Sequence, residues 1–248
     1  MRRTSLAPVL WFLLPGSVYC QSAAPPAFEV ASVKLAHHER TADGLSFSDV
    51  KIAGPGRLVA INASLDECIR WAYQVKEYQL SGPDWLNSNN PTYDIEAKAP
   101  PETPPPQVRL MLQALLGERF KLKLHSETRV LPVYELVVAN RGPKLPEADP
   151  GARSGLASQG GRDGVRVTGQ KATMTGLANR LSQDVGRPVF DKTGLQGTYT
   201  VKLEWAREGD GPSVFAAIQE QLGLKLQAAK APIEVLVVDH AEKIPTEN

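Results

Sequence analysis

The chain has 248 residues, 42% of them hydrophobic, and 28 basic side chains almost cancel 27 acidic ones to leave a formal charge of +1. Acids and bases are interspersed, which excludes the basic stripe of a nucleic-acid binder and the polybasic or amphipathic segment of a membrane-surface protein. A chain of this length can bury roughly 70% of its unfolded surface in one or two domains.

Met1-Arg2-Arg3 is followed by an apolar run from Leu6 to Leu14 that stops at Pro15-Gly16. A positive start, a short apolar core and a helix-breaking pair before small residues form the pattern of a cleaved secretory signal, assigned to residues 1–20. The run has about half the length that a membrane-spanning helix needs. The expectation is an exported protein, periplasmic or extracellular, with no stable membrane insertion after cleavage. Tyr19 is too bulky to precede a lipid-modified Cys20, and a cut near Ala23 or Ala24 is the alternative. Loss of Cys20 leaves Cys68 as a lone thiol, so the body must be held by its core and not by a disulfide.

Apolar residues at strand spacing in 28–34 and 45–52 predict two strands, with a turn at 37–44. Leu58 to Asn62 predicts a short strand. Ser64 then opens a helix, with Glu67 three residues on completing a capping box. Leu65, Cys68, Ile69 and Ala72 fall on one face of that helix. Tyr93 to Lys98 alternates as a half-buried strand does. After the proline-rich stretch 99–106, Val108, Met111, Leu112 and Leu115 predict a second helix that stops at Gly117. Two strands closing as a hairpin complete the set. Residues 142–164, with six glycines, predict a mobile linker. Beyond it the order recurs: a helix behind Thr173 with Met174, Leu177, Ala178 and Leu181, a strand at 198–205, and a helix after Pro212 ending at Gly223.

The recurrence extends to the residues themselves. Pro132-Val133-Tyr134-Glu135-Leu136-Val137-Val138 matches Pro232-Ile233-Glu234-Val235-Leu236-Val237-Val238, and Tyr93-Asp94-Ile95-Glu96-Ala97 matches Tyr199-Thr200-Val201-Lys202-Leu203. Matching strings in the same order point to an internal duplication. The expected fold is α+β with two related lobes, each a small antiparallel or mixed sheet with two helices on one face. The first lobe spans 28–146 with extra N-terminal strands, a flexible linker 147–164, and the second lobe 165–245.

Phe28-Glu29-Val30-Ala31-Ser32-Val33-Lys34, Gly54-Pro55-Gly56-Arg57-Leu58 and Ser81-Gly82-Pro83-Asp84-Trp85-Leu86 are distinctive strings. With Leu116-Gly117-Glu118-Arg119-Phe120-Lys121-Leu122 and Gly194-Leu195-Gln196-Gly197-Thr198-Tyr199, they resemble the soil-associated family of uncharacterised exported proteins abundant in Acidobacteria. That resemblance implies no established activity. Some relatives are joined to membrane-embedded metallopeptidases of the antibiotic-sensor type, whose His-Glu-x-x-His string this chain lacks. In element order each lobe is also similar to the short N-terminal domain of secretins and TonB-dependent receptors, which implies a module that docks protein partners.

Chemistry-bearing residues give no catalytic, metal or cofactor signature. His37 and His38 are adjacent and have no partner at ligand spacing. Asp239-His240 could seed a triad but lacks a serine in a Gly-x-Ser-x-Gly turn, so a surface pair is expected. Cys68 sits on an apolar helix face beside Asp66 and Glu67, as a buried and inert thiol would. Asp191-Lys192-Thr193-Gly194 is expected to form a turn. Trp85, with Pro83 and Asp84, is the candidate partner-binding site, a tryptophan held in a Gly-Pro loop; the opposing reading folds Trp85 back over its lobe. The function expected is a non-catalytic binding module for an envelope protein or peptide. The alternatives are a hydrolytic enzyme with a cleft between the lobes, or a regulatory partner of an envelope sensor peptidase. Oligomeric state is not legible in the sequence.

Overall fold

The structure, a computed structural model, describes residues 26–36, 48–87, 91–161, 164–207 and 211–247. The signal segment, the turn at 37–44 and residues 45–47 lie outside the described residues. In chain order the elements begin β1 (Val30–Leu35), β2 (Asp49–Gly54), β3 (Arg57–Ala63), α1 (Leu65–Tyr73), β4 (Leu80–Ser81), β5 (Tyr93–Lys98), α2 (Pro105–Arg119) and β6 (Lys123–Val138). They continue with β7 (Gly155–Gly161), β8 (Gly164–Ala172), α3 (Met174–Val185), β9 (Val189–Asp191), β10 (Tyr199–Trp205), α4 (Val214–Leu222) and β11 (Leu224–His240). The class is mixed α+β and strand-rich, with four helices and three sheets among the described residues.

The helices start where the sequence caps them. Ser64 Oγ accepts the Glu67 N–H at 3.2 Å while Glu67 Oε2 accepts the Ser64 N–H at 2.8 Å, satisfying two backbone donors at the start of α1. Thr173 and Ser213 cap α3 and α4 through the N–H groups of Gly176 and Ala216. The four expected inward residues of α1 are all buried, as are those of α3. Helix α2 does not stop at Gly117 as its glycine suggested. It runs to Arg119 because Leu116 and Phe120 are fully buried and hold the last turn against the core. The reversal falls instead at Lys121, whose φ of 51° lies in the left-handed region.

Two of the three sheets share one strand order, β5-β3-β2 with β1 outside β5, and β10-β8-β7. The third is β4-β11-β6-β9, built on an antiparallel ribbon of the two long strands β6 and β11. The expected closing hairpins are therefore absent. Residues 123–138 form one unbroken strand, and so do residues 224–240. Each strand carries a proline in its middle, where a ladder N–H is ordinarily needed. Tyr134 donates its N–H to Pro188 on the β9 side, so even-numbered N–H groups of β6 point away from β11. Pro132 thus lacks a donor that the ribbon does not need.

The ribbon also decides where the cores lie. One cluster joins Leu58, Ile95 and Ala97 of the first sheet to α1, α2 and Phe120, and takes in Val238 of β11 with Leu124 and Leu236 against it. The other joins Val167, Val201 and Leu203 to α3 and α4, and takes in Leu136 of β6 with Leu224 and Leu226 of β11. Each cluster is closed by residues from both long strands. Residues 147–164, expected as a flexible linker, are instead structured at both described ends: Glu147 bridges Tyr199, and 155–161 is β7, paired with β8 from Gly155–Gln170 to Gly161–Gly164. Glycines replace large apolar residues there because the strand lies at the sheet edge and buries little.

Leu136 is fully buried in the second cluster although it lies on the strand that follows α2. Leu136→Ala is expected to destabilise the whole chain by about 2–5 kcal/mol, the range for truncating a buried leucine. Urea denaturation should give one transition, with tryptophan fluorescence and circular dichroism shifting together.

Candidate functional site

The Trp85 loop sits at one end of the ribbon. Gly82 packs closely there: a Cβ would meet Leu86 Cδ2 at 2.9 Å and Val238 Cβ at 3.1 Å. The Pro83 carbonyl accepts the Leu86 N–H at 2.9 Å, closing a 3-10 turn that begins at Asp84. Pro83 and Asp84 are exposed. Trp85 is half-buried against the first core, with Lys243 Nζ 5.4 Å from its ring centroid, a cation–π distance. The loop thus folds back through its tryptophan and offers Pro83 and Asp84 outward.

A cleft of about 880 Å³ separates α1 from the end of α3, lined among others by Glu67, Arg70, Trp71, Tyr78, Ser182 and Gln183. Several of its polar groups already hold the fold. Glu67 Oε1 accepts from Ser48 Oγ at 2.7 Å, and its other oxygen serves the cap of α1. Arg70 is paired with Asp66, whose carboxyl is raised by burial and lowered in part by that arginine. Ser182 donates to the Ala178 carbonyl and accepts the Val189 N–H, both at 2.9 Å. Trp71 carries the Arg109 guanidinium 4.8 Å above its ring.

The histidines lie elsewhere. Asp239 pairs with His125 across the ribbon at 2.8 Å, so the adjacent Asp239-His240 pair expected from the sequence does not form. A register shift falls between Val238 and His240, and His240 lies 4.0 Å from Glu242. Cys68 is fully buried, and burial first, then Glu67 and Asp66, push its thiol up to about 12, which removes the thiolate. Asp191 and Thr193 build the expected turn: Asp191 Oδ1 accepts the Thr193 N–H at 3.0 Å and Thr193 Oγ1 the Leu195 N–H at 3.2 Å. Among the described residues no three His, Cys, Asp or Glu side chains are placed to hold a metal ion, and no helix is long and apolar enough to cross a membrane.

The feature that sequence reasoning missed is the set of sheet edges. β4 and β9 are two and three residues long. β2 carries Asp49 and Lys51 and a register shift near Gly54, and β1 carries Lys34. Short length, charge and bulges are the devices that keep an edge from pairing further. On β10, Gln221 of α4 accepts the Glu204 N–H at 3.0 Å and donates to the Glu204 carbonyl at 2.7 Å. β7 has none of these. Its residues Gly155-Leu156-Ala157-Ser158-Gln159-Gly160-Gly161 contain no charge and no proline, and among the described residues it pairs only with β8.

Asp239 as a hydrogen-bond partner raises the His125 pKa above its ordinary 6.5, with the charges of Asp239 and Glu127 adding to it. The protonated imidazolium is the favoured partner. The contribution to stability is present below the unfolded pKa and fades as pH rises through the folded one. A proton NMR titration should place the His125 midpoint above 6.5 in the native chain and lower it in Asp239→Asn.

No curated protein and no solved structure matches the chain. Residues 66–241, from α1 to the end of β11, match the model of a family described as a protein of unknown function (DUF3738), and the chain belongs to that family.

Proposed function

We propose that this chain is an exported, non-catalytic binding module of two related units that captures an extended protein or peptide segment by strand addition. Export is read from Arg2-Arg3, the apolar run and Pro15-Gly16. Two related units are supported by the common strand order β5-β3-β2 and β10-β8-β7 and by a left-handed residue just before each capped helix, Asn62 at φ 48° and Lys171 at φ 49°. Within the ribbon Leu131 faces Ala231, the positions just before the matching Pro132 and Pro232 strings. Equivalent strands pairing at equivalent residues is the geometry of a local two-fold axis. The described part of 147–164 then belongs to the second unit as its first strand.

The observation that carries the binding reading is the unguarded edge of β7. An edge strand without charge, proline or bulge presents a row of backbone donors and acceptors to any extended segment of compatible chemistry. The exposed Pro83-Asp84 face of the Trp85 loop is a second candidate contact. The hydrolase reading draws on the cleft beside α1, but Glu67, Arg70 and Ser182 are held there by their own structural partners. A regulatory role beside an envelope sensor peptidase is the special case in which the captured segment belongs to such an enzyme.

In the β7–β8 hairpin the closing pair Gly161–Gly164 sets the alternation, so the Ser158 N–H points away from β8. Ser158→Pro is expected to abolish capture of a partner crosslinked in the native envelope while leaving the fold intact. Ser158→Ala, which removes only the hydroxyl contact to Arg180, should retain it. Equal capture by the native chain and Ser158→Pro, identified by mass spectrometry, would refute strand addition at β7.

A further inference from the structure

We propose that the outer edge of β10 is a second strand-accepting site, matched to β1 of another copy of this chain, and that Gln221 holds it shut. This rests on the two-unit reading. In the first unit β1 lies along β5 from Val30–Lys98 to Leu35–Tyr93, and Ala36 donates to the Thr92 carbonyl at 2.8 Å. The matching residues of the second unit are Thr198 to Glu204. There, among the described residues, the end near Thr198 meets another backbone: Ala148 donates to the Thr198 carbonyl at 3.0 Å, and Thr200 donates to the Pro146 carbonyl at 2.9 Å. Upstream the chain leaves β10, since Lys144 donates instead to the Leu222 carbonyl at the end of α4.

The far end of the edge is occupied by a side chain. A carboxamide carries one acceptor oxygen and a donor N–H₂, the same complement as a peptide group. Gln221 uses both on the outward N–H and carbonyl of Glu204, as a paired strand residue would. In the first unit the matching carbonyl, that of Lys98, receives the Glu29 N–H at 2.8 Å, and the matching helix position is Leu115, turned into the core. Gln221 therefore stands where β1 stands in the other unit.

The inner faces also match. Ala31, Val33 and Leu35 oppose Ala97, Ile95 and Tyr93 in the first unit, and β10 offers Leu203, Val201 and Tyr199 at the corresponding places. A segment with the β1 pattern thus finds apolar neighbours on β10, and a second copy supplies it by strand exchange, its β1 leaving β5. By closing this edge, Gln221 leaves β7 as the unguarded edge of its sheet and directs strand addition there.

The test uses the full chain with a benzophenone amino acid replacing Lys202, in a mixture of isotopically light and heavy copies. Native Gln221 should give little inter-copy crosslink to residues 28–35. Gln221→Ala should give at least tenfold more, rising with protein concentration, while Gln219→Ala on the exposed side of α4 should match the native chain. Gln221→Met, which keeps the side-chain volume and loses both hydrogen bonds, replaces the alanine variant if that fails to fold. Equal crosslinking with and without Gln221, or a crosslink only to β1 of the same copy or to another segment, overturns the proposal. Because the readout lies on β10, failure here leaves the β7 reading standing, and failure of Ser158→Pro to affect capture leaves this one standing.

Discussion

The antiparallel pairing of β6 with β11 is the constraint on which the rest of the molecule depends. Val238 belongs to the core built on α1 and α2, Leu136 to the core built on α3 and α4, and both reach those places only because the two strands run side by side over their whole length. A backbone ladder cannot slip by one residue without turning every inward side chain outward. The ribbon therefore fixes the register of both cores at once. β4 and β9, too short to stand alone, are held in parallel on its opposite margins.

How much of this was legible depended on whether the information was local. Caps and periodicity were: Ser64 with Glu67, the buried face Leu65-Cys68-Ile69-Ala72, and the inward residues of α3 all followed from neighbours within one or two helical turns. So did the alternating strands at Tyr93 and Tyr199 and the turn at Asp191. The ribbon was not, because Pro132 and Pro232 look like strand breaks until one knows which side of β6 faces β11. The glycines of 155–161 look like a linker until β8 is found to pair with them. Gly117 signalled a helix end that the burial of Phe120 overrode. At the site, Trp85 was legible as a special residue, but its position under Lys243 depends on the C-terminal tail. Gln221 carries no motif at all; its role follows only from the Glu204 backbone beside it.

The treatment of sheet margins connects the fold to the proposed function. A chain with three sheets has many margins, and each device seen here has a simple physical basis: too few residues to pair, a charge that resists desolvation, a bulge that twists the ladder, or a carboxamide that uses up the hydrogen bonds. Where all are missing, as on β7, the backbone remains available. A cleft whose carboxylate and serine are committed to helix capping and backbone contacts has less freedom to reorganise around a substrate. The recognition proposed for β7 rests on the peptide group and not on that cleft.

The last residues of the chain stitch into its first half: the Tyr93 hydroxyl donates to the Lys243 carbonyl at 2.7 Å, Glu242 to the Phe120 carbonyl at 2.7 Å and Thr246 to the Arg119 carbonyl at 2.8 Å. Closing that loop early costs chain entropy, and contacts so distant along the polypeptide slow the search for the native state. The contacts of Tyr93, Arg119 and Phe120 with this segment form only once residues 242–246 have been made. A nick or early stop near residue 240 would be felt most strongly around Tyr93, some 150 positions upstream.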